Sequence, residues 1–290
     1  MKITVIGLGL IGGSLAIDLR EKDFATEIIG VDCNEEHRRQ ARNRGLADRI
    51  ETLEKALRQP DPGLVILAIP VDAIVSLLPK VLDLVGPEVT VTDMGSTKAA
   101  ITASVEKHPK RAQYVASHPM AGTENSGPAA AIAGLFRGRT TVICDAEKSA
   151  AFALRTIDRM YEVLRMRKIY MNSADHDLHT AYISHVSHIT SFVLADTVLD
   201  IAKDVKTIFD LAGGGFESTV RLAKSSPEMW QPIFKHNQQH LVTAVRAYIE
   251  KMQGFLAKLE GGEWNEIRDF LTEANEIKRV LAKIGGRGAP

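Results

Sequence analysis

The first part of the chain alternates between short apolar runs and longer amphipathic stretches. The apolar runs predict strands near 2–7, 28–32, 64–69, 89–93, 114–117, 140–144 and 168–171. The stretches between them predict helices at 10–22, 34–45 and 72–84, and a further helix that begins near Thr97. Continuous apolar strands that alternate with helices are typical of a parallel sheet covered on both faces. We therefore predict a doubly wound, mainly parallel α/β domain over residues 1–172.

The pattern changes beyond residue 173, where no run resembles a strand. Helical periodicity dominates, and it predicts helices at roughly 174–202, 204–212, 227–258 and 263–284. Glycine clusters at 213–215 and 261–262 separate these segments, as helix-terminating glycines do. The second predicted domain, residues 173–290, is all-α.

A glycine-rich segment joins the first predicted strand to the first predicted helix. It reads Gly7-Leu8-Gly9-Leu10-Ile11-Gly12, and Asp32 follows twenty positions later at the end of the second strand. A preceding strand, a following helix and an acid at this distance together form the fingerprint of a dinucleotide-binding Rossmann domain. Gly7 permits the tight turn, Gly9 lets the backbone approach a pyrophosphate, and Gly12 lets the helix pack closely on the strand.

Asp32 favours NAD over NADP, because a carboxylate accepts hydrogen bonds from the ribose hydroxyls and repels a 2′-phosphate. Arg38 and Arg39 could weaken that preference, but we interpret them as solvated positions on the next helix. The residues expected to contact the cofactor lie in the glycine segment and after the strands at 28–32 and 64–69: Gly7, Gly9, Leu10, Ile11, Gly12, Asp32, Ile69 and Pro70.

Composition narrows the class of protein. The 290 residues are 45% hydrophobic and 25% charged, which is enough for two globular domains. The 36 basic and 36 acidic side chains balance, so there is no general electrostatic reason to bind nucleic acid or an anionic membrane. Cys33 and Cys144 are too few for a disulfide framework or a multi-cysteine zinc site. We expect a cytoplasmic protein that acts on a small molecule.

Two polar segments follow predicted strands at the edge where open α/β sheets bind ligands: 93–98 and 117–124. His118 could accept a proton from a substrate hydroxyl while the nicotinamide accepts a hydride, or it could be a structural histidine that caps a turn. Ser96 could hydrogen-bond to that imidazole, cap the next helix, or do both. We interpret Lys98 as a solvated lysine in the first turn of a helix rather than as a catalytic residue.

Four histidines lie on the first predicted helix of the second domain: His176, His179, His185 and His188. At ~100° per residue, His176 and His185 point to opposite sides of a regular helix, so we predict no metal site. His185 and His188 are one turn apart; they could line a cleft, or serve only packing and capping. Arg221 could pair with a substrate carboxylate through its planar guanidinium, or be an ordinary surface arginine.

Five segments, in this order and at these separations, resemble the prephenate/arogenate dehydrogenase family: GLGLIGG, DMGSTK, SHPMAGTE, SHVSH and GGGFESTVRLA. SHPMAGTE is the most restrictive of them. The resemblance implies a Rossmann domain followed by a helical domain that dimerises, in a 6-phosphogluconate-dehydrogenase-like arrangement. It also implies an NAD-dependent oxidative decarboxylation, either of prephenate to 4-hydroxyphenylpyruvate in tyrosine biosynthesis or of arogenate to tyrosine.

The resemblance also implies roles for individual residues. His118 corresponds to the catalytic histidine, which accepts a hydrogen bond from the ring hydroxyl as hydride leaves its carbon. Ser96 would orient His118 and the cofactor. Five further positions resemble substrate-binding residues, the last two at the pocket entrance: His185, His188, Arg221, Thr123 and Glu124.

Some positions depart from the family pattern. Many members have an aspartate where Ser218 stands, a threonine where Val220 stands and a proline where Ser187 stands. Arogenate carries an ammonium where prephenate carries a keto group, so an acidic pocket residue should favour arogenate. Ser218 therefore favours prephenate, although the neighbouring Glu217 weakens that inference.

Two other functions fit parts of the sequence. A β-hydroxyacid dehydrogenase shares the Rossmann-plus-helices plan, but it would carry a lysine early in the first long helix of the second domain, and residues 172–188 contain none. An NAD-sensing regulator without turnover would need a DNA-binding or partner-binding module, which the balanced charge does not favour.

Overall fold

A computed structural model describes residues 1–58, 63–205 and 207–285, with side chains as far as residue 282. It contains one eight-stranded sheet formed by β1 (Lys2–Ile6), β2 (Glu27–Val31), β3 (Arg49–Ile50), β4 (Leu64–Leu67), β5 (Thr90–Asp93), β6 (Tyr114–Pro119), β7 (Thr140–Cys144) and β8 (Arg167–Met171). The spatial order is β3-β2-β1-β4-β5-β6-β7-β8. Neighbouring strands are parallel except β6 and β7. The predicted doubly wound, mainly parallel sheet is confirmed.

The helices of the first 163 positions surround this sheet: α1 (Leu10–Glu21), α2 (Glu35–Asn43), α3 (Leu53–Leu57), α4 (Val71–Leu84), α5 (Ala99–Ser104) and α6 (Ala151–Val163). Those that follow belong to the helical part: α7 (Ser173–Thr180), α8 (Val186–Ala202), α9 (Gly214–Val220), α10 (Pro227–His236), α11 (Gln238–Gly261), α12 (Trp264–Ala274) and α13 (Ile277–Gly285). The sequence did not predict β3, α3 or α6. The chain forms two compact units, 1–238 and 239–290.

The central strands β1, β2 and β4 are buried on both faces, which explains why they are mostly apolar and do not alternate between apolar and polar positions. In β4, Leu64 and Ile66 belong to one core, while Val65 and Leu67 belong to the other. The first core also contains side chains of α1, α2 and α6, and the second contains side chains of α3, α4, α5 and α10.

The chain leaves β1 through a tight turn beside β4, where the order of the strands reverses. Gly7 has φ +92°, and a Cβ on it would lie 2.3 Å from the carbonyl oxygen of Ala68. A Cβ on Gly12 would lie 1.9 Å from the carbonyl oxygen of Gly7, so α1 packs against the turn with no room for a side chain. By contrast, a Cβ on Gly9 would meet no atom within 4 Å.

His118 lies within β6, not in a loop as the sequence suggested, because β6 continues to Pro119. The antiparallel pairing with β7 extends the strand: His118 pairs with Val142, and Pro119 pairs with Thr141. One cross-strand row runs from Asp93 through Ala116 and Cys144 to Met171. Since α7 begins just after Met171, this row brings α7 beside the loop that follows β5.

A π-helical segment, Ala181–His185, separates α7 from α8. Its i→i+5 hydrogen bonding makes each residue turn through less than the 100° of an α-helix. As a result His176 and His185 are both buried, each 1% exposed, and the prediction that they point to opposite sides of the helix was wrong. The glycine cluster was also misinterpreted: Gly213 caps α9 and Gly214 begins it, whereas the segment before the cluster forms only a short 3₁₀ turn at Ile208–Leu211.

The unit formed by 239–290 consists of most of α11 together with α12 and α13. Phe255 and Phe270 bring their ring centroids to 5.4 Å, and Lys258 pairs with Glu266. Many of its large apolar side chains are exposed, among them Tyr248, Ile249, Met252, Leu256, Trp264 and Leu271. Along the described parts of the chain, no helix is both long enough and apolar enough to cross a membrane.

The turn geometry predicts opposite outcomes for two glycine substitutions. Gly12→Ala should lower the free energy of unfolding by about 2 kcal/mol or more, because the new methyl group must displace backbone. Gly9→Ala should change it by less than about 1 kcal/mol, because the methyl group enters open space. Chemical denaturation of both variants checks this, and equal losses would mean that the packing of α1 on the turn is not rigid.

Candidate active site

A cavity of about 830 Å³ lies beside the carboxyl ends of β1, β2 and β4. Four of the predicted cofactor residues line it: Gly7, Asp32, Ile69 and Pro70. Gly9, Leu10, Ile11 and Gly12 lie in the adjacent turn and at the start of α1. The open space over Gly9 and the unpaired N–H groups at the start of α1 suit a pyrophosphate, so the residues present fit a dinucleotide.

Asp32 is fixed by the backbone around it. Its Oδ2 accepts a hydrogen bond from the N–H of Leu8 (3.0 Å), and its Oδ1 accepts one from the N–H of Asn34 (2.9 Å). Each carboxylate oxygen has two lone pairs, so both can still accept a ribose hydroxyl. The Nδ1 of His37 lies 3.5 Å from Oδ2.

The two arginines on α2 differ. Arg39 is exposed and pairs with Glu36, as the sequence suggested. The interpretation of Arg38 as a solvated side chain was wrong, because Arg38 lines the cavity and its Nη1 donates to the carbonyl oxygens of Asp32 (2.9 Å) and Cys33 (3.0 Å). Its fixed guanidinium forms part of the wall beside Asp32.

His118 is connected to a buried histidine and aspartate that the sequence did not identify as functional. The Nδ1 of His118 lies 2.9 Å from the Nε2 of His176, and the Nδ1 of His176 lies 2.8 Å from the Oδ1 of Asp177. The two rings meet edge to face, with centroids 5.1 Å apart. Asp177 also accepts hydrogen bonds from the N–H groups of Lys98 (2.7 Å) and Ala99 (2.9 Å).

Burial and nearby cations keep His118 neutral. Burial lowers the pKa of His118 well below 6.5, and electrostatic interactions with His176, Lys98 and His185 lower it further. Burial likewise lowers the pKa of His176, although the hydrogen bond to Asp177 opposes that effect. Burial would raise the pKa of Asp177, but its hydrogen bonds from His176 and from the backbone outweigh burial and lower it. The result is a neutral imidazole supported by an ionised carboxylate.

Lys98 is fully buried, so its interpretation as a solvated lysine was wrong. Its Nζ pairs with the Oδ2 of Asp93 and donates to the carbonyl oxygen of Ser117 at 2.8 Å. The Oδ1 of Asp93 accepts a hydrogen bond from the hydroxyl of Tyr114 at 2.6 Å. Burial, with the adjacent Asp93, raises the pKa of Tyr114 well above 10. This ion pair joins the ends of β5 and β6 directly beneath His118.

Ser96 lies in the loop after β5 and is partly exposed. Among the described residues, the ring of His118 bonds to His176 rather than to Ser96, and α5 begins at Ala99 with Lys98 as its N-cap. The expected hydrogen bond between Ser96 and His118 is thus not formed in this structure, and the hydroxyl of Ser96 is left for another partner.

His185 and His188 both pack against Trp230. The ring centroid of His188 lies 3.6 Å from that of Trp230 with the ring planes tilted by 30°, whereas His185 meets Trp230 edge to face at 5.8 Å. The Nδ1 of His185 lies 3.1 Å from the amide Nδ2 of Asn237. Burial lowers the pKa of His185 to about 4. Burial also lowers the pKa of half-buried His188, and the positive charge of nearby Arg221 lowers it further.

Arg221 and Glu124 come from distant parts of the sequence and form an ion pair. The Nη1 of Arg221 lies 3.3 Å from the Oε2 of Glu124, and both side chains reach solvent. Thr123 precedes Glu124 and accepts a hydrogen bond from the N–H of Asn125. The predicted entrance residues therefore meet a predicted substrate-binding residue.

The arrangement can perform acid–base chemistry beside a bound dinucleotide. β1, β4, β5 and β6 are parallel, so the glycine turn, Ser96 and His118 lie at one edge of the sheet. There a neutral histidine can accept a proton, and a partly exposed arginine and histidine can bind an anion. Sequence reasoning missed His176, Asp177, Asn237 and Trp230. The adjacent His176 and Asp177, in the first turns of the helix after the last strand, were the available signal.

Two family models together match most of the chain. The model described as "Prephenate dehydrogenase, nucleotide-binding domain" matches residues 15–170, and "Prephenate dehydrogenase, dimerization domain" matches residues 172–273. The prephenate dehydrogenase of Bacillus subtilis (strain 168) is 30% identical over 286 residues, which cover 97% of this chain and 76% of that protein.

Solved structures resemble the whole chain. A prephenate dehydrogenase from A. aeolicus, crystallised in complex with hydroxyphenyl propionate and NAD+, superposes with a TM-score of 0.88 at 29% identity; the match covers 97% of this chain and 98% of that one. An arogenate dehydrogenase from Synechocystis superposes with a TM-score of 0.76 at 27% identity, covering 97% of this chain and 100% of that one.

The buried ion pair predicts a large effect of a single substitution. Lys98→Met should lower the free energy of unfolding by about 3 kcal/mol, because it leaves the carboxylate of Asp93 buried without its cation. Lys107→Met, which changes an exposed lysine just beyond α5, is the control and should change stability little. Urea denaturation compares the two. A loss below about 1 kcal/mol in Lys98→Met would show that Asp93 does not depend on this lysine.

The burial of His185 predicts that acid lowers the stability of the folded chain. Its pKa is about 4 in the folded chain and should be about 6.5 when unfolded, so between these values the unfolded chain binds the extra proton. Acidification therefore favours unfolding. When the pH falls from about 7 to about 5, the free energy of unfolding should decrease in both proteins. The decrease should be smaller in His185→Gln than in the parent protein, by roughly 2 kcal/mol. The exposed His179→Gln is the control, and parallel curves for all three proteins would contradict the prediction.

Proposed function

The chain belongs to the prephenate dehydrogenase family, and we propose on that basis that it converts prephenate to 4-hydroxyphenylpyruvate with NAD+. It is an NAD-dependent oxidoreductase, as its homologues are. The observation that carries the proposal is the placement of a neutral, buried histidine, His118, at the sheet edge that bears the dinucleotide turn.

The reaction needs alignment more than a strong base. Bound NAD+ would accept the hydride from the ring carbon that carries the hydroxyl group. His118 accepts the hydrogen bond of that hydroxyl through its Nε2, since its Nδ1 is occupied by His176. The ring carboxylate leaves as carbon dioxide, and formation of the aromatic ring makes the step strongly downhill. The protein therefore contributes chiefly by holding the hydroxyl, the carbon and the cofactor in register.

The remaining site residues have proposed roles that follow from their positions. Ser96, in the loop after β5, bonds to the substrate hydroxyl or the cofactor and so completes the catalytic set. Five residues form the proposed substrate pocket: His185, His188, Arg221, Thr123 and Glu124. Within it, Arg221 and the hydrogen-bond donors His188 and Thr123 bind the two carboxylates of prephenate. Glu124 holds Arg221 in place, and His185 supports the tryptophan against which His188 packs.

Cofactor contacts follow the glycine turn and the cavity. We assign them to Gly7, Gly9, Leu10, Ile11, Gly12, Asp32, Ile69 and Pro70. Asp32 favours NAD over NADP because a 2′-phosphate would approach a carboxylate that the backbone holds in place.

Prephenate is favoured over arogenate by the pairing of the acidic residues near the entrance. Glu217, which could have attracted the ammonium of arogenate, lies 3.6 Å from the Nζ of Lys224. Ser218 donates to the carbonyl oxygen of Gly215, and Glu124 pairs with Arg221. An acid with a cationic partner has less attraction for an ammonium group. Arogenate dehydrogenase is the second candidate, since the Synechocystis enzyme of that name has the same fold.

Three broader assignments complete the proposal. We place the domain boundary at 172/173, close to the junction of the two matched family models. We propose a homodimer formed through the helical domain, supported by the dimerization-domain match and by the exposed apolar side chains of α11 and α12. Both cysteines are free thiols, as is usual in a reducing compartment, which supports a cytoplasmic location.

Steady-state formation of NADH, measured with prephenate or arogenate and with NAD+ or NADP+, tests the proposal. We expect prephenate with NAD+ to give the highest kcat/KM. His118→Asn should lower kcat at least 100-fold with little change in NAD+ affinity, because it removes the proton acceptor but not the cavity. The exposed His179→Asn is the matched control.

The other outcomes discriminate among the alternatives. A preference for arogenate would leave the proposed type of reaction unchanged. It would contradict the argument that Glu217, paired with Lys224, does not attract the ammonium group of arogenate. No turnover with any combination, from protein that binds NAD+, would contradict the proposed function. Near-normal turnover of His118→Asn would contradict the role of His118.

A further inference from the structure

We propose that His176 and Asp177 are positioning residues that determine which nitrogen of His118 is the proton acceptor. The inference deepens the proposed function and rests on His118 being the base of that reaction. It assigns a task to two buried residues that are not among those lining the cavity, and it follows from the donors and acceptors that surround them.

Asp177 fixes the tautomer of His176. Its carboxylate receives two backbone N–H groups, those of Lys98 (2.7 Å) and Ala99 (2.9 Å), which can only donate. An ionised carboxylate only accepts, so the Nδ1 of His176, 2.8 Å from Oδ1, must carry a hydrogen. A neutral imidazole has one N–H, and therefore the Nε2 of His176 presents a lone pair.

The tautomer of His176 then fixes the tautomer of His118. The Nδ1 of His118 lies 2.9 Å from that lone pair, so it must be the donor. The only nitrogen of His118 left to accept a hydrogen bond is Nε2. Both rings are held neutral by burial, which makes the assignment unique along the chain from Asp177 to His118.

Without the carboxylate the chain of hydrogen bonds could run in reverse. The Nε2 of His176 would then donate to the Nδ1 of His118, and the Nε2 of His118 would carry the hydrogen. That tautomer cannot accept a hydrogen bond from a substrate hydroxyl. A buried aspartate selects the tautomer of the catalytic histidine in Ser-His-Asp triads by the same logic, with a second imidazole interposed here.

The pair also accommodates charge during the reaction. As the hydroxyl proton moves towards the Nε2 of His118, the Nδ1 proton can move towards His176, which carries the positive charge to Asp177. The proton returns to the oxygen when the electron pair of the breaking carbon–carboxylate bond enters the ring. The hydroxyl is thus retained, carbon dioxide leaves, and the hydride goes to NAD+. No net proton is consumed or released.

The other charged groups nearby do not substitute for Asp177. Lys98 faces both histidines and disfavours a cation on either, and His185 acts on His118 in the same direction. Asp93, another buried carboxylate that acts on His176, is occupied by Lys98, Tyr114 and the N–H of Gly95. Asp177 is therefore the acceptor on which the tautomer depends.

Nitrogen-15 NMR of histidine-labelled protein tests the assignment without substrate. In the parent protein, the His118 signals, identified by their loss in His118→Asn, should be those of a ring protonated at Nδ1 and unprotonated at Nε2. Asp177→Asn should populate the Nε2–H tautomer of His118, and the exposed control Asp175→Asn should not. A parent protein with His118 protonated at Nε2 would overturn the inference, whatever the substrate is.

Kinetics provide the second measurement. His176→Leu and Asp177→Asn should each lower kcat at least 100-fold with KM values within about threefold, because substrate contacts are unchanged. His176→Gln should recover part of the activity, since its amide oxygen can accept from the Nδ1 of His118. The controls are His179→Leu and Asp175→Asn. Folded variants with kcat within threefold of their controls would overturn the inference. Absence of turnover in the parent protein would instead contradict the proposed function, and the NMR result would still decide this inference.

Discussion

The carboxylate of Asp177 is the group on which the rest of the site depends. It accepts hydrogen bonds from the first N–H groups of α5 and from His176, while the carbonyl oxygen of the same residue accepts one from Asn237. One buried residue thus joins the loop after β5, the start of the helical part and the end of α10. The row of paired residues from Asp93 to Met171 makes this possible, because it places the beginning of α7 level with the end of β5.

Charge is distributed around His118 so that the ring remains neutral. Lys98 is buried beneath it and is compensated by Asp93, whose other oxygen is bonded to Tyr114. A buried cation this close makes a second cation costly, which lowers the pKa of His118 and His176 together with burial itself. The same ion pair therefore has two effects: it anchors β5 to β6, and it helps to keep the imidazole of His118 neutral.

The glycine turn, Asp32 and seven of the strands could be predicted because each depends on local pattern or on a well-defined fingerprint. The errors arose where tertiary pairing decided the outcome. His118 lies in a strand because β7 runs antiparallel beside it. Lys98 is buried because the chain folds it back onto Asp93, and Arg38 is held by carbonyl oxygens that precede it. His176 and His185 share the buried side of their helix because a π-helical segment changes the angle between them, which a regular helical wheel does not reveal.

The chemistry explains why so much of the structure serves orientation. Formation of an aromatic ring supplies the driving force, so a more basic histidine would add little, whereas a hydrogen on the wrong nitrogen would prevent the hydroxyl from bonding at all. A tautomer is an all-or-none property that a single buried hydrogen bond can set. The cost of burying Asp177 and Lys98 is then offset by local hydrogen bonds and ion pairing. Arg221 and Glu124 reach solvent, and the entrance that we propose there needs only enough charge to attract and retain a dianion.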